Sequence, residues 1–169
     1  MRDLDRTRIL HGMFWGMIAT PIAAVIPLGA MALSLWPAPT PITTAVLHRL
    51  LGVAGPGAYV LAGIAQILYG GVWGAFLAFA SGPIDPPLLV RPSNLSIGLG
   101  VGLFRAFLGS LSGLLYVGWG AFGVLVTPFI AVGMLLSDLA FGATVAILLT
   151  REEWGRLRLP FAKLRLHHA

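Results

Sequence analysis

Four stretches of this chain, 12–35, 58–80, 97–119 and 129–150, each run for more than twenty residues with almost no charge. A helix needs about 20 predominantly apolar residues to cross the hydrocarbon core of a bilayer. A backbone crossing it must satisfy its own polar groups, which a helix does internally. The expected fold is therefore an all-α integral membrane protein, a bundle of four transmembrane helices. Composition agrees: 57% of the 169 residues are hydrophobic and 10% are charged, against roughly 25% charged in a soluble domain.

The connections are short, so residues 1–150 read as one membrane domain and 151–169 as a basic amphipathic tail. Pro21 and Pro27 fall inside the first span and are expected to kink it. A cleavable leader is the competing reading of that span, since Ala30-Met31-Ala32 resembles a cleavage site. Its apolar region is longer than the roughly 7–15 residues such leaders carry. Between the first two spans, residues 37–57 read as a Pro-rich turn and a short amphipathic segment, Val46 to Leu51, lying at the interface. Pro160 is expected to interrupt the tail.

Orientation follows from where the cations stand. With both termini inside, the cytoplasmic flanks hold Arg2, Arg6, Arg8, Arg91, Arg151, Arg156, Arg158, Lys163 and Arg165, and the outer connections hold only Arg49. The positive-inside rule then gives an N-in, C-in topology in the cell (cytoplasmic) membrane. The net charge of +5 sits beside apolar spans, so anionic lipid headgroups, and not nucleic acid, are the expected partner of the basic termini.

The halves of the chain share a pattern. Gln66-Ile-Leu-Tyr69-Gly70 matches Asp138-Leu-Ala-Phe141-Gly142, with Gly74 matching Ala146; Gly12-Met-Phe14 aligns with Gly102-Leu-Phe104, and Thr20 with Ser110. This would make two helical hairpins repeated in parallel, although Gly-rich spans also align by chance. The motif resembles the final helix of small prokaryotic four-helix membrane proteins of uncharacterised role. In those, a polar residue, usually His, precedes x-x-Tyr-Gly-x-x-x-Gly. Gln66, Tyr69, Gly70 and Gly74 match, and Asp138, Phe141 and Gly142 match in part, while both halves lack the histidine. The resemblance implies a topology and no activity.

Small residues recur four apart: Gly12, Gly16, Thr20 and Ala24; Gly70 and Gly74; Gly98 and Gly102; Gly109 and Gly113; Gly142 and Ala146. Such stripes let helix backbones approach closely. Packing within the bundle is the expected use, and the number of small faces leaves room for a homo-oligomer or a partner in a larger membrane complex.

Three polar residues fall deep within the spans. At about 1.5 Å per residue, Arg105 lies about 12 Å, Asp138 about 18 Å and Gln66 about 21 Å from the cytoplasmic side. An unpaired charge at the bilayer centre costs roughly 2.5–3.5 kcal/mol on insertion scales, so Arg105 is expected to pair with Asp138, with Gln66 adding hydrogen bonds. The cluster is read either as a structural tie between hairpins, with snorkelling of Arg105 as a variant, or as a midplane contact for an ion or solute.

Catalysis is not expected. Ser110, Ser112 and Thr20 have no histidine at their depth to act as base: His11 is at a boundary, His48 outside, and His167 and His168 end the tail. The chain has no cysteine, which removes thiol chemistry and Cys-ligated metals, and no cofactor or metal site is expected. Two functions remain at this stage. The first is a non-enzymatic structural or accessory component of an oligomer or membrane complex. The second is a small transporter or channel using Arg105, Asp138 and Gln66.

Overall fold

The computed structural model describes residues 3–32, 40–81, 94–120, 125 and 128–164, with backbone alone for 3–5, 31, 128 and 152–164. The described residues form helices joined by short irregular connections and contain no strand. Helix α1 is Asp3–Ala32, α2 Ile42–Leu51, α3 Pro56–Ala80 and α4 Asn94–Gly109. A π-helical turn, Ser110–Leu114, carries α4 into the short α5, Leu115–Val117, and α6 is Pro128–Leu164. Four segments are long and apolar enough to cross a membrane: Arg6–Ala30, Pro56–Ala80, Asn94–Val117 and Phe129–Arg151.

Two helix boundaries differ from expectation. Helix α1 begins upstream of residue 12, because "DLDRTR" is polar but contains no helix breaker, and Pro21 and Pro27 stay within one continuous helix. Helix α6 continues through Pro160 to Leu164. Proline removes one backbone donor, yet the helix runs on for four residues beyond it. The connection 81–94 between the second and third spans lies outside the described residues except at its ends, as does the end of the tail.

Helix α1 packs on α3 and α4 on α6, giving two hairpins; α1 also lies along α6, whereas α3 touches α4 and α6 only lightly. Glycine decides where each hairpin closes. A Cβ on Gly16 would strike the backbone of Gly70 and Gly74, and one on Gly74 would strike Gly12 and Gly16. In the second hairpin, Gly98 lies on Gly142 and Ala146, and Gly102 on Asp138 and Leu139. Both contacts stand toward the N-terminal ends of α1 and α4, where hydrogen bonds also tie the helices: Arg8 to Ser81 Oγ at 3.1 Å and Asn94 Nδ2 to Thr150 Oγ1 at 3.1 Å.

The contact pattern recurs, in a different register from the sequence alignment. Gly16 meets Gly70 and Gly74 as Gly98 meets Gly142 and Ala146, so residue 16 corresponds to 98 and residue 70 to 142. The offset is 98 − 16 = 82 in the first helix of each hairpin and 142 − 70 = 72 in the second. The expected pairing of Gly12 with Gly102 is thus corrected to Gly16 with Gly98. Small residues four apart make alignments about one or two turns apart look equally good. The two offsets differ by 82 − 72 = 10, the length of α2 (10 residues), which the first hairpin carries between its long helices.

Between the hairpins the core gathers corresponding positions, Trp73 with Val145 and Leu77 with Leu149, together with Ala19, Ala23, Val101 and Phe141. Outward-facing side chains such as Val25, Val60, Val72 and Phe79 are large, apolar and exposed, as a bilayer-facing surface requires.

Helix α2 ends on Gly52, whose φ of 66° is left-handed and whose N–H donates to His48 O at 2.9 Å. A Cβ there meets nothing within 4 Å, so Gly52→Ala carries a conformational cost alone. The expected loss is about 1–2 kcal/mol, read as a lower thermal midpoint in detergent with no change in oligomeric state.

Candidate functional site

Away from the glycine contacts the hairpins part, and the space between them is a cavity of about 690 Å³. Its walls come from the second half of α1 (Ala24, Pro27, Leu28), the first half of α3 (Ala62, Gln66, Tyr69), the π-helical turn (Ser112, Gly113) and the start of α6 (Met134, Ser137). Helix α2 covers one side with Ile42, Thr43, Thr44, Val46 and Leu47. Arg105 and Asp138 line the same space, each near the middle of its span-length helix.

The expected polar cluster divides in the structure. Arg105 Nε lies 3.1 Å from Asp138 Oδ1, and both side chains are buried. The pair joins α4 to α6, within one hairpin. The Arg105 guanidinium lies 4.1 Å from the Phe141 ring centroid and 5.1 Å from that of Tyr69. Those rings occupy corresponding positions in the two hairpins, so Arg105 reaches from its own hairpin to the other through aromatic faces. A cation over a ring face is attracted by the ring's quadrupole, more so when desolvated.

Gln66 does not complete this pair. Its Oε1 accepts from Thr43 Oγ1 at 2.7 Å, a bond that fastens α2 to α3. The expectation that Gln66 would bond to Arg105 is corrected on this point: α2 supplies a closer donor. Gln66 remains on the cavity wall with the ion pair. Ser137 Oγ donates to Ala23 O at 3.0 Å and so anchors α6 to α1 beside the cavity.

Gly109 and Gly113 also depart from expectation. A Cβ on Gly109 meets only Met134 Cε at 3.5 Å, and one on Gly113 meets Ile42 Cγ2 at 4.0 Å. Neither sits at a close helix crossing. Both line the cavity instead, where the missing side chains leave room. The remaining small residues singled out from the sequence, Gly12, Gly16, Gly70, Gly74, Gly98, Gly102 and Gly142, lie at contacts within the chain.

Two polar atoms on the wall are fully covered and have no hydrogen-bond partner, Arg105 Nη1 and Thr44 Oγ1. The sequence signals Arg105 by its isolation in an apolar span. Thr44 carries no such signal, because a threonine in a short amphipathic segment is ordinary; only the fold brings it to the cavity. The π-helical turn was likewise not legible. Such turns are frequent at functional sites, and here Ser112 Oγ donates to Leu108 O at 2.6 Å within it.

Among the described residues no group of three His, Cys, Asp or Glu side chains could hold a metal ion. No known family model matches the chain, and neither curated proteins nor solved structures give a match.

Proposed function

We propose that this chain is an integral membrane protein, N-in and C-in in the cytoplasmic membrane, that binds a small bilayer-borne molecule in its midplane cavity. This is the carrier reading of Arg105, Asp138 and Gln66. The observation that carries it is that the ion pair is not sealed in a packed interior. It borders a cavity whose volume falls in the roughly 300–1,000 Å³ range of small-molecule sites, and Arg105 Nη1, covered by its neighbours, has no hydrogen-bond partner. A tie serving only to hold hairpins together is better placed in close packing, since each methyl-sized void costs about 1 kcal/mol.

The role is binding and carriage, without catalysis. The basic flanks engage anionic headgroups, and the cations counted from the sequence support the orientation. A role as an accessory component of a homo-oligomer or larger complex draws on the same topology. Of the glycines that suggested a helix seam, most lie at contacts inside one chain and Gly109 and Gly113 face the cavity, so among the described residues they offer no seam in support of this second reading.

Binding of 1-aminoanthracene, an apolar fluorophore, to the protein in lipid nanodiscs tests the reading. Wild type is expected to show saturable enhancement that Gly113→Phe abolishes, because that side chain grows into the cavity. Gly109→Leu, which faces only the flexible end of Met134, is expected to weaken binding at least tenfold. Fluorescence identical to that of empty nanodiscs, or enhancement unchanged in both well-folded variants, overturns the reading.

A further inference from the structure

We infer that the cavity's ligand is a neutral, lipid-soluble molecule with an apolar body and a carbonyl-type acceptor head seated beside Arg105. This deepens the carrier reading and rests on it.

Charge decides against ions. Arg105 is already compensated by Asp138 at 3.1 Å. An entering anion would meet the Asp138 carboxylate and an entering cation the Arg105 guanidinium, each without a free counter-charge on the cavity wall and in a medium where unpaired charge is costly. A neutral acceptor adds no net charge.

Hydrogen bonding decides the head group. A guanidinium has five N–H donors and no acceptor. Asp138 engages the Nε–H, while Nη1 has no partner. Thr44 offers a second unpartnered hydroxyl on α2. The oxygen of the Gln66 amide is already taken by Thr43, which leaves its nitrogen as a donor. Of the two covered wall atoms left without a partner, Arg105 Nη1 can only donate and Thr44 Oγ1 can donate, so the group that satisfies both is an acceptor. A bond to a charged donor is worth more than one between neutral groups, which places the ligand's oxygen at Arg105. Ala24, Leu28, Ile42, Leu47, Ala62 and Met134 form the apolar part of the wall, a lining for hydrocarbon.

The route in is consistent with such a molecule. Tyr59, Gly63 and Tyr69 line the cavity and are exposed on α3, and Ser112 is exposed on the π-helical turn. Helices α3 and α4 touch only lightly, around Trp73 and Phe104, whose rings are 6.0 Å apart. The cavity thus opens sideways between these helices in the half of the bundle that α2 covers, where the surrounding solvent is lipid.

Displacement of 1-aminoanthracene by three molecules of matched chain length tests the inference: undecan-2-one, undecane and undecanoate, each expressed per mole of lipid. In wild type the ketone is expected to displace at least tenfold more effectively than either of the others. In Arg105→Lys the single ammonium stays with Asp138 and the planar donor edge is lost, so the ketone's advantage over undecane should fall below threefold. Thr44→Val, a variant that leaves the ion pair intact, should reduce that advantage about threefold. Equal displacement by ketone and alkane overturns the acceptor head while leaving cavity binding intact. Stronger displacement by undecanoate overturns the neutral ligand. Failure of 1-aminoanthracene to bind at all removes the carrier reading itself.

Discussion

Gly16→Leu and Gly142→Leu should each prevent the hairpins from closing. A side chain at either position must occupy space held by the facing backbone, Gly70 and Gly74 for the first and Gly98 and Gly102 for the second. No rotamer of a neighbour relieves a clash with a carbonyl oxygen, so the helices have to separate. Inserting methylenes where side chains can shift costs about 1–3 kcal/mol; here the expected loss is roughly 3 kcal/mol or more on the same scale. In lipid, no hydrophobic driving force between helices offsets it, because close packing is itself what associates them. The controls are Gly63→Leu and Gly100→Leu, where a Cβ meets nothing within 4 Å, and these should stay within about 0.5 kcal/mol of wild type. Thermal unfolding and size-exclusion profiles in detergent separate the two groups. Equal behaviour of crossing and control glycines would contradict the arrangement of the hairpins.

The second large effect concerns the ion pair. Asp138→Leu leaves the Arg105 guanidinium buried without a counter-charge, and breaking a buried pair in this way costs about 3–5 kcal/mol. Arg105→Met exposes the same dependence from the other side, leaving the carboxylate stranded. The double variant Arg105→Met/Asp138→Leu removes both charges, and it is expected to recover most of the stability, since apolar replacement of a whole buried pair is often neutral or favourable. The three variants with wild type form a double-mutant cycle, measured by unfolding in mixed detergent micelles. With single losses of about 3–5 kcal/mol each and a near-neutral double variant, the predicted coupling is about 5 kcal/mol or more in magnitude, above the roughly 0.5–3 kcal/mol usual for contacting residues. Additive single effects would show that the two residues act separately. The same double variant should lose the preference for a ketone over an alkane, so stability and recognition part company in one protein.

Much of the fold was legible because hydropathy in a bilayer-length chain is a strong constraint. Twenty apolar residues have few alternatives to a spanning helix, and the four spans fall close to where composition placed them. The pairing of Arg105 with Asp138 was legible for the same reason: with so few charges at depth, each had only one counter-charge available. Gln66 was misjudged because its partner, Thr43, belongs to a short helix whose position depends on tertiary packing. The use of Gly109 and Gly113 was misjudged for a related reason. A glycine stripe has the same spacing whether the neighbouring helix is present or absent, so the sequence cannot distinguish a crossing from a cavity wall. The π-helical turn and the slip in the repeat register follow from backbone hydrogen bonding and helix phase, which no side-chain pattern recorded.

The recurring contacts suggest why the cavity lies where it does. Each hairpin closes at its glycines near the N-terminal ends of α1 and α4, and α2, carried only by the first hairpin, enters the gap at the other end. Where the first hairpin has Ala23, the second has Arg105 at the corresponding position. The charged group thus stands where the first hairpin has a small apolar side chain. The packed end provides a rigid support, and the parted end provides the space.

The central claim is most directly tested by photolabelling the protein in nanodiscs with 4-heptylbenzophenone, which joins a neutral carbonyl to an apolar chain and, on irradiation, inserts into nearby C–H bonds. Peptide mapping should place the adducts on Met134, Leu47 and Ala62, with excess undecan-2-one suppressing them. Adducts confined to outward-facing residues such as Val60, Val72 and Phe79, unchanged by the ketone, would show that the molecule meets only the outside of the bundle and would contradict the account.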